Sequence, residues 1–167
     1  MDIRIAGLVD DSIVDGPGFR LAIFTQGCPH DCPGCHNPDT HSFDGGKMDT
    51  TEHIISMMED NVLLDGITLT GGDPFCQPLP CSVIAEAAKK NGLNVWAYSG
   101  WTFEQLLRKA QEDADVKRML SSVDVLVDGP FILAKRTLEL RFRGSSNQRL
   151  IDVPASLASG QVIEKES

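Results

Sequence analysis

Leu21-Ala22-Ile23-Phe24-Thr25-Gln26-Gly27-Cys28-Pro29-His30-Asp31-Cys32-Pro33-Gly34-Cys35-His36-Asn37 is the stretch from which the fold and chemistry of this chain are read. The apolar run from Leu21 to Phe24 has the composition of a buried strand, and a loop with cysteines at C-x3-C-x2-C spacing follows it closely. Three thiolates on one short loop can hold three irons of a four-iron cluster, where a closed cluster takes four. The fourth iron then has no protein ligand and is open to a small molecule.

Outward from this loop, further strands alternate with helices. Gly66-Ile67-Thr68-Leu69-Thr70 alternates as a strand and ends in Gly71-Gly72-Asp73-Pro74. Asn94 to Tyr98 is closed by Ser99-Gly100, and Val123 to Asp128 by Gly129-Pro130. Between them, Thr50 caps a helix with Ile54, Ile55 and Met58 on one side, and a helix from about Pro80 to Lys90 stops at Asn91-Gly92. Thr102 caps another through Lys109, and a further piece covers about Asp115 to Leu120.

This alternation predicts βα units and a mostly parallel sheet. With too few strands for an eight-unit barrel, the expected fold is α/β: a partial, open parallel β/α barrel in a single domain, residues 1–167. Upstream lie a short apolar segment, Ile3 to Val9, and the tight turn Asp15-Gly16-Pro17-Gly18; His41 to Lys47 reads as loop. The tail from about 154 is expected to be loosely ordered. Sites in parallel βα folds gather at strand C-termini, so the cysteine loop, Gly-Gly-Asp, Ser-Gly and Asp-Gly-Pro are predicted to line one mouth.

Composition narrows the class. The chain has 167 residues, 41% hydrophobic and 23% charged, ordinary for a globular protein. Its apolar runs are too short for a membrane helix. Met1-Asp2-Ile3-Arg4 does not open a signal peptide, so a cytoplasmic location is expected, where its five cysteines read as metal ligands or free thiols. A net charge of −9 argues against a nucleic-acid binder. Lys135, Arg136, Arg141, Arg143 and Arg149 nevertheless cluster against Glu139 alone. Such a segment is either an ordinary solvated face or a docking surface for an acidic partner.

Other chemistries compete for the cysteine loop. Cys32-Pro33-Gly34-Cys35-His36 matches the c-type haem attachment pattern, and Cys32 to Cys35 resembles a thioredoxin-like pair, but both leave Cys28 unused. Structural zinc is the stronger rival, with His30, His36 or a remote cysteine completing a tetrahedral set. Spacing alone leaves zinc and iron–sulfur open. Structural zinc gives no reason for Gly71-Gly72-Asp73 at a neighbouring strand end. There, glycine lets backbone approach a ligand, and a carboxylate can accept hydrogen bonds from an ammonium.

The cysteine motif followed by Gly-Gly-Asp resembles the radical S-adenosylmethionine (SAM) superfamily. Further stretches resemble, more closely, the activating proteins of anaerobic (class III) ribonucleoside-triphosphate reductases. They are Val14-Asp15-Gly16-Pro17-Gly18, Gly27-Cys28 with Cys32-Pro33-Gly34-Cys35 and Asn37, Gly71-Gly72-Asp73-Pro74, Trp96-Ala97-Tyr98-Ser99-Gly100, Val125 to Gly129, and Arg143-Gly144-Ser145-Ser146. The likeness spans about Val14 to Asp152.

The resemblance implies a barrel of the radical SAM type in which Cys28, Cys32 and Cys35 hold a 4Fe-4S cluster and SAM binds at the open iron. One-electron cleavage would give a 5′-deoxyadenosyl radical that abstracts hydrogen from a glycine of the large reductase subunit. A flavodoxin or similar donor is implied, and the charge of the basic segment, residues 135–149, suggests it as one docking surface; neither nucleic acid nor membrane is an expected partner. Gly34, Cys35, His36, Gly72, Asp73 and Ser99 are the implied SAM contacts, with Gly72 backbone and the Asp73 carboxylate on the amino group and Ser99 reaching the carboxylate or ribose. Asp128 either binds SAM or a cation or ends its strand, and His30 is expected at the loop surface. Arg143 to Asn147 matches the family without revealing a task; it closes the sheet edge or meets the reductase. Cys76 and Cys81 fall outside the pattern and read as small buried thiols. The alternatives are an activator of another glycyl-radical enzyme such as pyruvate formate-lyase, a small-molecule radical SAM enzyme of the carboxy-deazaguanine synthase kind, and a zinc-stabilised binding module.

Overall fold

The computed structural model describes residues 1–30, 32–35 and 38–165. The strands are β1 (Asp2–Ser12), β2 (Arg20–Thr25), β3 (Lys47–Thr50), β4 (Gly66–Gly71), β5 (Asn94–Tyr98), β6 (Val125–Asp128) and β7 (Arg149–Asp152). They form one open sheet in the order β3-β1-β2-β4-β5-β6-β7. The central β2, β4, β5 and β6 are parallel, with Ile23, Leu69, Ala97 and Leu126 aligned in a fully buried row across them. These are the strands the apolar runs predict, and they make an open, partial β/α barrel.

The flanking strands are antiparallel: β1 on β2, β3 on β1, and β7 on β6. β3 takes the end of the stretch expected to be loop. Its side chains are mostly exposed, so it shows no apolar alternation and is defined by backbone pairing to β1. β7 likewise escapes a pattern-based reading, with only Leu150 and Ile151 buried.

The helices are α1 (Thr51–Asp60), α2 (Pro78–Lys90), α3 (Phe103–Glu112), α4 (Ala114–Leu120) and α5 (Val153–Ser159). Thr50 Oγ1 accepts from the His53 amide at 3.1 Å, and Thr102 and Gln105 form a reciprocal capping box. Each such cap stabilises its helix by about 1 kcal/mol. The tail, expected to be loosely ordered from about 154, is instead tied down. Asp152 caps α5 through the Ala155 amide, the Asp152 amide donates to Ile163, and the Lys165 amide donates to Leu150. Backbone pairing to the edge strand, rather than apolar content, orders this segment.

Alternation along the strands sorts the two sheet faces. Ile67, Leu69, Val95, Ala97 and Leu126 enter the main core with Ile54, Ile84, Leu106 and Met119 from the helices. On the other face Trp96, Val125, Val127 and Leu150 pack together, with Tyr98 and Phe142 against them. Arg20 is fully buried, its Nε donating to Thr68 Oγ1 (2.8 Å) and its Nη1 to the Pro17 carbonyl (3.0 Å), with its guanidinium 5.7 Å from the Trp96 ring centroid. Burial draws its pKa down to about 10, so it remains charged at neutral pH while fixing the Asp15–Gly18 turn to the sheet. No helix among the described residues is long and apolar enough to cross a membrane.

Candidate functional site

A cavity of about 310 Å3 opens where the four parallel strands end. The loop after β2 brings Cys28, His30, Cys32 and Cys35 to it, the loop after β4 Gly71 and Gly72, that after β5 Ser99 and Gly100, and that after β6 Gly129. The cysteine loop is held at its start by hydrogen bonds that the Gly27 amide donates to the Thr40 carbonyl (2.7 Å) and the Cys28 amide to the His41 carbonyl (3.1 Å). Pro33-Gly34 then makes a turn closed by the Cys35 amide on the Cys32 carbonyl (3.1 Å). Gly34 sits there at φ +75°, a conformation glycine adopts without penalty. All three cysteines are half-buried.

Asp73 joins three of these loops from below. Its carboxylate is fully buried and accepts from Ser99 Oγ (2.9 Å), the Gly100 amide (2.9 Å) and the Phe75 amide (3.1 Å). His30 Nε2 lies 2.7 Å from its Oδ2. The His30 ring also packs edge-on to Trp101, with centroids 4.6 Å apart. His30 is therefore no surface residue of its loop, contrary to the expectation from sequence. Its orientation is set by a buried acid that spacing along the chain does not reveal.

The glycines of the Gly-Gly-Asp turn answer first to packing. A Cβ on Gly72 would stand 2.4 Å from the Gly27 carbonyl oxygen and 2.8 Å from that of Thr40. The Gly72 amide donates to Thr25 and the Asp73 amide to Gly27, both at 2.8 Å. Two loop backbones thus lie in contact, and Gly72 still reaches the cavity wall.

Of the implied SAM contacts, Cys35, Gly72 and Ser99 line the cavity, while Asp73 supports it from beneath and Gly34 lies against the side chains of Leu133 and Phe131. His36 lies outside the described residues. The Ser99 hydroxyl donates to Asp73 and accepts from the Trp101 amide, so its proton is turned inward. Asp128 is buried, receives both Nε and Nη2 of Arg149 (3.0 and 2.5 Å) and accepts from the Phe103 amide. It secures β6, β7 and α3 to one another. The basic segment is divided: Lys135, Arg136 and Arg141 are exposed, Arg149 is paired to Asp128 and Glu104, and Arg143 lines the cavity. Asp15, Tyr98, Arg143 and Gln148 also line the walls, and the sequence assigns none of these four a place there. For Tyr98 the clue was available: it ends β5 two residues after Trp96, on the same face.

The model of the family described as "4Fe-4S single cluster domain" matches residues 14–151. The anaerobic ribonucleoside-triphosphate reductase-activating protein of Salmonella typhi is 34% identical over 149 residues, covering 81% of this chain and 90% of that protein. The corresponding protein of Vibrio cholerae is 33% identical over 150 residues (81% and 89%). That of Enterobacteria phage T4 is 34% identical over 146 residues (82% and 86%). The chain belongs to this family of radical SAM activating proteins. A solved structure, that of QueE from Escherichia coli, is similar with a TM-score of 0.47 at 17% identity, over 61% of this chain and 54% of that one.

The loop's donor set suits the family's cluster. Three soft thiol ligands from one loop share a cavity, and four-iron clusters take one thiolate per iron, so these sulfurs need not converge as the ligands of a single ion do. Among the described residues no three His, Cys, Asp or Glu side chains form such a single-ion group. Burial pushes the Cys28 thiol up to about 11, Asp73 and the other two cysteines add to this, and a hydrogen bond from the His30 backbone opposes it. A thiolate at this position therefore calls for a cation, as metal ligation supplies.

Proposed function

We propose that this chain installs a glycyl radical on the large subunit of an anaerobic ribonucleoside-triphosphate reductase. It would use a 4Fe-4S cluster held by Cys28, Cys32 and Cys35, with SAM beside it. One observation carries the reading: the three cysteines open into a single cavity shared with the ends of the other three parallel strands. When bound, the cluster and SAM supply one-electron chemistry that yields methionine and a 5′-deoxyadenosyl radical.

The protein's own task is to bind, orient and shield. Gly34 and Cys35, with His36 next in sequence, would hold the adenine and methionine moieties, Gly72 would present backbone to the amino group, and Ser99 would form the facing wall. Asp73 keeps Ser99, Gly100 and His30 in register, so it acts on SAM through them. The mouth stays open because the target is another protein's backbone. The electron comes from a flavodoxin-like donor in the cytoplasm.

The test is anaerobic incubation of reduced, cluster-loaded protein with SAM and the reductase, followed by electron paramagnetic resonance. A glycyl-radical doublet on the reductase, absent when Cys32 is replaced by Ala, is expected. SAM cleavage with no radical on the reductase would redirect the assignment to another substrate.

A further inference from the structure

We propose that Arg143 is the carboxylate-binding residue of the cavity, its guanidinium taking the α-carboxylate of SAM. The assignment deepens the reading above and rests on it. Arg143 lines the same cavity as the three cysteines and is the one Lys or Arg among the described lining residues. Its Nε is buried and has no hydrogen-bond partner. The other inward arginines are provided for: Arg20 by carbonyls and Thr68, and Arg149 by two carboxylates. An orphaned buried N–H is costly and marks a position where a ligand can complete the bonding.

The backbone is built to aim this side chain. Phe142, immediately before it, has φ +65°, the one non-glycine residue with positive φ among those described. A bulky residue enters that region only when its surroundings impose it, and such positions gather at ligand sites. Here the Phe142 ring is held edge-on to Trp96, with centroids 5.1 Å apart. On the far side, the Gly144 and Ser145 amides both donate to Gln148 Oε1 (2.8 and 3.2 Å), and Gln148 Nε2 donates to the Gly129 carbonyl (3.1 Å). Asn147 Nδ2 reaches the Pro130 carbonyl (2.8 Å). Arg143-Gly144-Ser145-Ser146-Asn147, a motif without a task in the sequence, is thereby a frame fixed to the end of β6 with Arg143 turned inward.

The chemistry selects the ligand group. SAM carries a sulfonium, an ammonium and a carboxylate, and a guanidinium offers donors and positive charge only. It attracts the carboxylate and repels the other two. Ser99 is no rival, since its proton is committed to Asp73. A carboxylate has lone pairs enough to serve a metal and a guanidinium together.

Binding measurements under anaerobic conditions test this on the cluster-loaded full chain, with SAM and with its decarboxylated analogue, for wild type, Arg143→Gln and Arg143→Lys. Arg143→Gln should weaken SAM binding about 10- to 100-fold and change binding of the analogue by less than about 2-fold. Arg143→Lys should recover part of the loss, keeping the charge but not the planar fork. Unchanged SAM affinity in Arg143→Gln, or equal losses for both compounds, overturns the assignment while leaving the proposed function in place. Wild-type protein that loads iron and binds neither compound overturns both. If Arg143→Gln fails to load iron, Arg143→Lys decides: a selective loss for SAM supports the assignment, and none overturns it.

Discussion

His30 Nε2 stands 2.7 Å from Oδ2 of Asp73, joining the cysteine loop after β2 to the Gly-Gly-Asp turn after β4. A carboxylate only accepts, so this nitrogen carries the proton. His30 is 14% exposed at its side chain and Asp73 0%, which places the bond largely out of water. His30→Ala should therefore lower unfolding free energy by about 1–3 kcal/mol and reduce iron retained after anaerobic gel filtration. His30→Gln, which keeps an N–H donor, should restore part of both. Equal stability and iron content in all three proteins would show the bond to be dispensable.

Gly72→Ala tests the close packing of the two loops. The new methyl group meets the carbonyl oxygens of Gly27 and Thr40, backbone atoms that cannot rotate away. Overpacking of this kind costs about 1–3 kcal/mol, and here the strain falls on the residue preceding Cys28. A lower denaturation midpoint with slower cluster reconstitution is expected. A variant that matches wild type in both would mean that the loops separate readily.

The parallel strands and helix caps were legible because buried apolar runs and capping residues are local features: Leu21 to Phe24, Thr50 and Thr102 each announce their element within a few residues. The strand-end loops could be gathered into one mouth because parallel βα topology itself brings them together. Other features depend on distant partners. β3 has no apolar alternation, His30 finds its acid 43 residues away, and Arg143 turns inward only because Phe142 adopts a conformation that residue type argues against. The sequence presents the two glycines of Gly-Gly-Asp as room for a ligand, whereas Gly72 first makes room for Gly27 and Thr40.

Cys76 and Cys81 should behave as inert thiols. Cys81 is fully buried in the main core, and burial, reinforced by Asp73, raises both thiols, that of Cys76 to about 12. Neither residue lines the cavity. At pH 8, iodoacetamide should modify both far more slowly in folded apoprotein than in urea-unfolded chain, as mass spectrometry of peptides will show. Cys76→Ala and Cys81→Ala should each retain the iron content of wild type. Loss of iron in either would bring that thiol into the metal chemistry.

Acid should weaken the fold through two arginine-held glutamates. Arg118 donates to Glu86 through Nε (2.6 Å) and Nη2 (2.8 Å), linking α4 to α2, and Arg149 bonds Glu104. These bonds hold both carboxyls below the ordinary value of 4.5. A carboxylate depressed in the folded state stabilises the fold above its unfolded pKa, and that contribution disappears as pH falls through the folded value. Urea midpoints should therefore be flat from about pH 7 to 5 and decline below about pH 4.5. Glu86→Gln and Glu104→Gln should flatten the decline at less than about 1 kcal/mol each at pH 7, because both pairs are substantially exposed. Arg149→Leu should be far worse, about 3–5 kcal/mol, since it leaves Asp128 buried without its cation. If Arg149→Leu cost no more than Glu104→Gln, the Asp128 ion pair would add nothing to the backbone ladder that already pairs β6 with β7.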